Sequence, residues 1–177
     1  MRFFPALPMS ALLIAISLPL GAEPQLPESA DAARSLAVKS TQIPPAQKRK
    51  LMRWLAAGTY LNSFIPEPTI HPSTGPHGGN VRTFYNPILA EDLAAGKSRF
   101  RKGASMVKEL YRNGMSDVVG YAVMIKTRKG SGNNGEGWVF YESYGRGNSA
   151  AFYGRGISVC ASCHRRGMDY LLSEFRP

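Results

Sequence analysis

The feature that most constrains this chain is a motif close to its C-terminus, Cys160-Ala161-Ser162-Cys163-His164. The two cysteines are the only ones in the 177 residues. Two thiols three positions apart can reach the two vinyl groups on one edge of a porphyrin, and the next residue can then place its imidazole under the iron. Cys-x-x-Cys-His is the attachment sequence of c-type haem. We therefore predict covalently attached haem c, with Cys160 and Cys163 binding the cofactor and His164 binding the iron.

Two other uses of the cysteine pair have to be weighed against haem. Cys-x-x-Cys alone also occurs in redox disulfides and in zinc sites. A zinc site needs two more ligands, and His71 and His77 are the only typical ones left. A thioredoxin-like motif opens a helix after a strand in a βαβ unit, and the chain shows no such alternation.

The first 22 residues indicate export. Arg2 precedes a short apolar run, and the segment ends in the small residues of Leu20-Gly21-Ala22, which is the pattern of a secretory signal peptide. The run is short and interrupted by prolines, so an uncleaved membrane anchor is the less favoured alternative. We expect a periplasmic protein with no stable membrane span after cleavage. Its formal net charge of +10 suits nucleic acid, an anionic membrane or an acidic protein. Export makes nucleic acid an unsuitable partner.

The rest of the chain reads as one α+β domain, an antiparallel sheet flanked by helices. We predict N-terminal helices and a Pro/Gly-rich loop over residues 23–80 and a haem-binding sheet core over 81–177. The predicted helices span residues 28–40, 46–57 and 87–95, with a last helical piece at 168–175. The predicted strands span 81–85, 104–111, 118–127 and 138–144, with a hairpin tip at 129–135. The Tyr-Gly-Arg-Gly repeats at 144–147 and 153–156 read as loop.

The second axial position of the iron is left open by the sequence. Met168 lies too close to His164 along the chain to reach the opposite face, so any sixth ligand has to come from upstream. His71 and His77, both in the Pro/Gly-rich loop, are the candidates for a ligand or a base. The alternative is that they are solvent-exposed loop histidines without either role. If neither binds, the haem is five-coordinate and binds small molecules.

One predicted strand carries an unusual lysine. Lys108 shares a period-two face with Met106 and Leu110, which are apolar. It is either an edge-strand lysine that points past the sheet or a buried amine. Burial would lower the lysine pKa and make the neutral, nucleophilic amine accessible.

The sequence resembles the cytochrome P-460 family, whose relatives include the β-sheet cytochromes c′. The resemblance covers roughly residues 72–177. It depends on the runs Val81-Arg82-Thr83-Phe84-Tyr85-Asn86-Pro87, Gly103-Ala104-Ser105-Met106-Val107-Lys108-Glu109-Leu110 and Gly137-Trp138-Val139-Phe140-Tyr141, and on the haem motif with Asp169 and Phe175-Arg176-Pro177 behind it.

The resemblance implies a sheet flanked by helices, a homodimer, and specific roles for five residues. His164 is then the proximal ligand, and Cys160 and Cys163 form the thioethers. Lys108 falls on the lysine that hydroxylamine-oxidising members join to the porphyrin rim. Arg82 falls on a distal-side arginine, with a surface salt-bridge partner as the alternative interpretation. The chain departs from these members at residues 152–159, which contain no acid where they place a distal carboxylate. The base that proton removal requires is thus not identified.

Three functions follow from these readings. The first is oxidation of hydroxylamine to nitric or nitrous oxide at an open haem site, with Lys108 and Arg82 as catalytic residues and a redox partner protein that accepts the electrons. The second is binding of nitric oxide or carbon monoxide without turnover, in an apolar distal pocket. The third is electron transfer by a six-coordinate haem, with His71 or His77 as sixth ligand and the basic surface steering an acidic partner.

Overall fold

The computed structural model describes residues 42–112, 117–144, 150–173 and 175. The predicted signal peptide over 1–22 and the predicted helix over 28–40 lie outside these residues. Within them, the helices are α1 (Lys48–Ala56), α2 (Pro87–Ala94) and α3 (Ser158–His164), with a 3-10 turn at Thr59–Asn62. The strands are β1 (Ile65–Pro66), β2 (His71–Pro72), β3 (Asn80–Tyr85), β4 (Ser105–Tyr111), β5 (Val118–Lys126), β6 (Trp138–Tyr144) and β7 (Ala150–Arg155). No helix in these ranges is long and apolar enough to cross a membrane.

The strands form one antiparallel sheet, and this confirms the predicted α+β class. Its order is β1-β3-β4-β5-β6-β7, and the short strand β2 also pairs with β3. Strands β4, β5 and β6 follow one another as hairpins, as the succession of period-two segments predicts. The sequence predicted all four longer strands from β3 to β6 within one residue at each end.

One face of the sheet is covered by the amphipathic helix that the sequence predicts at 46–57. Leu51 and Leu55 lie four residues apart on one side of α1 and are buried. They pack with Tyr60 against Val107 and Val123 of the central strands. Burial of this apolar stripe stabilises the helix, whose basic residues lie on its exposed side.

The other face of the sheet is covered by α2, α3 and the segments that follow them. Asn86 begins α2, because its side-chain oxygen accepts a hydrogen bond from the Leu89 N–H at 3.0 Å, and Pro87 occupies the first helical position. The same oxygen accepts from the Ser105 N–H at 2.9 Å, which ties the helix to the start of β4. Leu89 then packs with Trp138 in the larger core cluster.

Strand β7 was not predicted from the sequence. The glycine content of this segment predicted a loop, but Gly154 pairs with Phe140 in β6. A Cβ on Gly154 would come within 2.5 Å of the Ile157 side chain, so the glycine allows a close approach there. The strand forms because β6 offers a free edge, which is a tertiary condition that local composition does not reveal.

The predicted helical piece at 168–175 is wrong. Met168 and Leu171 form an isolated antiparallel bridge, and the two residues between them, Asp169 and Tyr170, have positive φ angles of 47° and 72°. Neither angle is compatible with a right-handed helix. Gly167 lies just before this turn, and a Cβ there would collide with the Leu171 carbonyl oxygen. Hydrogen bonds from Lys126 and from the Phe100 N–H to the Asp169 carboxylate hold the chain in this turn.

Candidate haem site

The strand register brings a lysine and a glutamate onto one face of the sheet. Lys108 in β4 pairs with Ala122 in β5, and Ala122 pairs with Glu142 in β6. Directly opposite residues in an antiparallel sheet point to the same side. Lys108 and Glu142 therefore share a face with the small side chain of Ala122 between them, and Phe140 lies on the same side of β6, two residues before Glu142.

Helix α3 carries all three residues of the haem motif. Cys160, Cys163 and His164 are spaced i, i+3 and i+4, so they share one side of the helix. Cys160 packs against the core cluster that contains Phe140. The His164 ring centre lies 5.4 Å from that of Phe140 in an edge-on arrangement, so β6 supports the imidazole from the sheet.

His164 is prepared to bind a metal through one defined nitrogen. Its Nδ1 lies 2.9 Å from the Tyr170 carbonyl oxygen. A carbonyl can only accept a hydrogen bond, so Nδ1 carries the proton and Nε2 keeps a lone pair. Burial lowers the pKa of His164 to about 4, against the opposing effect of the Tyr170 hydrogen bond. The imidazole is therefore neutral at pH 7, the state in which histidine binds metals.

His77 lies next to His164, although it belongs to the Pro/Gly-rich loop. Their ring centres are 6.3 Å apart with an angle of 61° between the planes. The His77 Nδ1 lies 2.9 Å from a Glu142 carboxylate oxygen. The carboxylate accepts, so His77 Nδ1 carries the proton of this hydrogen bond. Both histidines thus donate a hydrogen bond through Nδ1.

Glu142 is the acceptor that orients His77. The Tyr144 hydroxyl donates to the same carboxylate oxygen at 2.5 Å. Burial raises the pKa of Glu142, but the hydrogen bonds from His77 and Tyr144 outweigh burial and hold the pKa below its ordinary value. Glu142 is therefore a carboxylate at neutral pH. A carboxylate that accepts from Nδ1 of a histidine is the usual outer-shell support of a metal ligand.

Lys108 is a largely buried amine on an internal strand. β4 lies between β3 and β5, so the alternative of an edge-strand lysine does not apply. Burial lowers the pKa of Lys108, and the negative charges of Glu67 and Glu142 oppose that shift. The structure therefore supplies the buried amine that the sequence left as one of two alternatives.

Glu67 is a second carboxylate beside this face. Its side chain accepts from the Thr83 N–H at 2.7 Å and from the Tyr85 hydroxyl at 3.0 Å, and it lies 3.1 Å from His71 Nε2. Thr83 pairs with Lys108, so this hydrogen bond holds Glu67 close to Lys108. His71 is half-exposed and engaged by Glu67, whereas His77 lies beside the haem motif.

Arg82 is not brought to this face. It follows Val81 and precedes Thr83 in β3, and it pairs with Glu109, so it belongs to the opposite face from Lys108. The Arg82 Nε–H donates to the Glu67 carbonyl oxygen at 2.8 Å, and the guanidinium lies 5.4 Å from the Phe84 ring centre. The five residues predicted from sequence therefore divide into two groups. Cys160, Cys163, His164 and Lys108 come together, while Arg82 stays apart.

The two cysteines fit thioether formation better than redox chemistry. Both are free thiols. Burial raises the pKa of Cys160 to about 11, with the charge of Glu142 adding to the shift. A redox-active Cys-x-x-Cys has a thiol with a lowered pKa, which is the opposite. Within the described ranges, no three His, Cys, Asp or Glu side chains are grouped to hold a metal ion by themselves. The donor set of two thiols and a neutral imidazole on one side of a helix fits haem c.

Sequence reasoning missed Glu142 and Tyr144. The acid-free stretch at 152–159, just before Cys160, gave no sign of either residue. The available signal was a glutamate in the predicted strand 138–144, in step with Phe140 at a period of two. Its relation to His77 depended on strand pairing and could not be seen in the sequence.

No protein-family model matches the chain, and no curated protein matches it either.

Proposed function

We propose that the protein is an exported mono-haem c protein of the cytochrome P-460 type. Cys160 and Cys163 would bind the porphyrin edge, and His164 would bind the iron through Nε2. The support is the neutral, Nδ1-protonated state of His164 beside two free thiols. When bound, the haem supplies a one-electron redox centre whose potential depends on its axial ligands and their hydrogen bonds.

The position of His77 is the observation that favours one of the candidate functions over the others. Metal–imidazole nitrogen bonds are about 2 Å long, so two imidazoles on opposite sides of one iron have ring centres about 6 Å apart. The observed separation between His77 and His164 is 6.3 Å. The observed value matches the separation expected for two imidazoles that share one iron. We therefore propose His77 as the sixth ligand.

Each proposed ligand already has its outer-shell partner. The Tyr170 carbonyl holds His164, and the Glu142 carboxylate, which also accepts from Tyr144, holds His77. Ligands fixed in this way reorganise little between oxidation states, which suits electron transfer. The chain's positive charge would steer an acidic redox partner.

The optical spectrum of the purified protein tests this proposal. For electron transfer we expect a covalently bound c-type haem with a low-spin six-coordinate spectrum in both oxidation states. A high-spin spectrum would contradict axial binding by His77. Absence of covalent haem from protein matured with a c-type haem assembly system would contradict the proposed function as a whole.

Oxidation of hydroxylamine is the second candidate, and Lys108 favours it. This buried amine shares its face with Glu142, and in the hydroxylamine-oxidising relatives a lysine at this position is joined to the porphyrin rim. Conversion of hydroxylamine to nitric oxide releases three protons and three electrons, so a base and an electron acceptor are required. His77 Nε2 would accept a proton, with Glu142 stabilising the resulting imidazolium. Arg82 lies on the opposite face of the sheet from Lys108, so this candidate gives Arg82 no direct contact with the substrate.

Hydroxylamine oxidation and electron transfer require different roles of His77. As a base it has to leave space for hydroxylamine, whereas as a ligand it closes the site. Consumption of hydroxylamine with an added electron acceptor, together with a red-shifted, broadened ferrous spectrum, would favour the enzyme. A c-type low-spin spectrum without consumption would favour electron transfer.

Binding of a diatomic gas without turnover is supported less by this geometry. That function requires an apolar distal pocket, whereas this face presents His77, Glu142 and Lys108. The periplasmic location and the homodimer remain proposals that derive from the N-terminal segment and from the family resemblance.

A further inference from the structure

The turn that follows α3 has a conformation that ordinary side chains disfavour. The Leu171 N–H donates to the Met168 carbonyl at 2.8 Å, and both central residues, Asp169 and Tyr170, have positive φ. These are the marks of a type I′ turn, which glycine, asparagine and aspartate adopt most readily. Each non-glycine residue in this region costs about 1 kcal/mol, and Tyr170 has no side-chain advantage there. Other contacts therefore have to maintain the turn.

A buried ion pair maintains it. The Lys126 Nζ donates to Asp169 Oδ2 at 2.6 Å, and the Phe100 N–H donates to the same oxygen at 2.9 Å. The Ser131 hydroxyl donates to the other carboxylate oxygen. Lys126 is fully buried, and its ammonium lies 4.8 Å from the Trp138 ring centre. A buried charge pair with all these partners fixes Asp169 in one position.

Tyr170 is held by the same hairpin tip that supplies Ser131. Its hydroxyl donates to the Asn133 carbonyl at 2.8 Å, and its ring lies over Gly135, where a Cβ would come within 2.9 Å. Tyr170 is thus fixed at its side chain by the tip between β5 and β6 and at its backbone by the turn. Its carbonyl oxygen is the one that accepts from His164 Nδ1.

We propose that Lys126 and Asp169 are positioning residues for His164. By holding the strained turn, they keep the Tyr170 carbonyl in line with Nδ1, which fixes the imidazole tautomer and the direction of Nε2. A stronger hydrogen bond at Nδ1 makes Nε2 a better donor and favours the oxidised metal. The inference depends on the proposed haem only for its effect on potential, because the Nδ1 contact is a property of the polypeptide.

Two variants remove the Asp169 carboxylate without disfavouring the positive φ of the turn. Asp169→Asn removes the charge but keeps a residue that tolerates positive φ, and Asp169→Gly removes the side chain where glycine adopts that φ freely. In both we expect the His164 Nδ1–H resonance to lose its hydrogen-bonded shift in nitrogen-15 NMR spectra of the full chain. In the haem-loaded protein, we expect the reduction potential to rise. A tenfold change in the ratio of reduced to oxidised protein corresponds to 59 mV.

Asp92→Asn is the matched control. Asp92 is also a buried carboxylate, and its hydrogen bonds go to Lys97 and Arg101 rather than to the turn. We expect it to lower stability without moving either readout. If Asp169→Asn and Asp169→Gly leave the Nδ1–H resonance and the potential unchanged, the inference is overturned and Asp169 only stabilises the fold. If no haem attaches, the proposed function fails, and the NMR measurement still decides this inference.

Discussion

The imidazole rings of His77 and His164 lie with their centres 6.3 Å apart, and each ring donates a hydrogen bond through its Nδ1. One comes from the loop between β2 and β3 and the other from helix α3, after the last strand. An acceptor of a different kind orients each ring, a carboxylate for His77 and a peptide carbonyl for His164. The pair is the basis for proposing two axial ligands to one iron.

Replacing His77 tests that pair directly. In His77→Ala we expect the low-spin spectrum to change to a high-spin one, because the iron loses its sixth ligand. Added imidazole should restore the low-spin form by occupying the space of the missing ring. His71→Ala is the control, since the ring contact of His71 is with Glu67. Identical spectra of wild type and His77→Ala would contradict the proposal.

Lys108 can be tested by mass spectrometry of the haem-loaded protein. If the protein is a hydroxylamine oxidiser, proteolysis should release a haem peptide that also carries the segment around residue 108. Lys108→Ala should then lose that cross-link, the red-shifted ferrous band and hydroxylamine consumption together. Lys102→Ala, which changes an exposed lysine just before β4, should retain all three. Full consumption by Lys108→Ala would remove Lys108 from the catalytic role.

Gly167 tests the turn from its other side. A Cβ at this position would collide with the Leu171 carbonyl oxygen, which is backbone and cannot move without opening the Met168–Leu171 bridge. We expect Gly167→Ala to lower the free energy of unfolding by about 1–3 kcal/mol, measured by urea denaturation. Gly75→Ala is the control, because a Cβ there meets nothing within 4 Å. Equal stability of the two variants would show that the turn is not tightly constrained.

Asp92 gives a prediction for pH dependence. Burial raises the pKa of Asp92, but hydrogen bonds from the Arg101 N–H and from the Lys97 and Arg101 side chains outweigh burial and lower the pKa below its ordinary value. A lowered folded-state pKa means that the stabilisation is present above about pH 4, the unfolded value, and is lost as pH falls through the folded value.

Asp92→Asn should therefore unfold more readily at pH 7, by about 2 kcal/mol. Its stability should also depend less on pH below pH 4 than that of the wild type. Parallel pH profiles for the two proteins in denaturant titrations would contradict this account of Asp92.

The haem motif, the amphipathic helix and four strands follow from local sequence, because each depends on spacing within one segment. Cys160, Cys163 and His164 share a helix side through their own spacing, and Leu51 and Leu55 do so likewise. Lys108 is aligned with apolar neighbours through the period of its own strand. These relations need no knowledge of what packs against the segment.

The rest was decided by pairing between distant segments. A period of two shows which residues of one strand share a face, but the register decides which residues of other strands join them. Register put Glu142 beside Lys108 and Arg82 on the opposite side. Tertiary packing likewise placed His77 beside His164 and His71 beside Glu67. The glycine-containing segment at 150–155 forms a strand because it pairs with the free edge of β6. The ion pair between Lys126 and Asp169 stabilises a turn where the sequence predicted a helix.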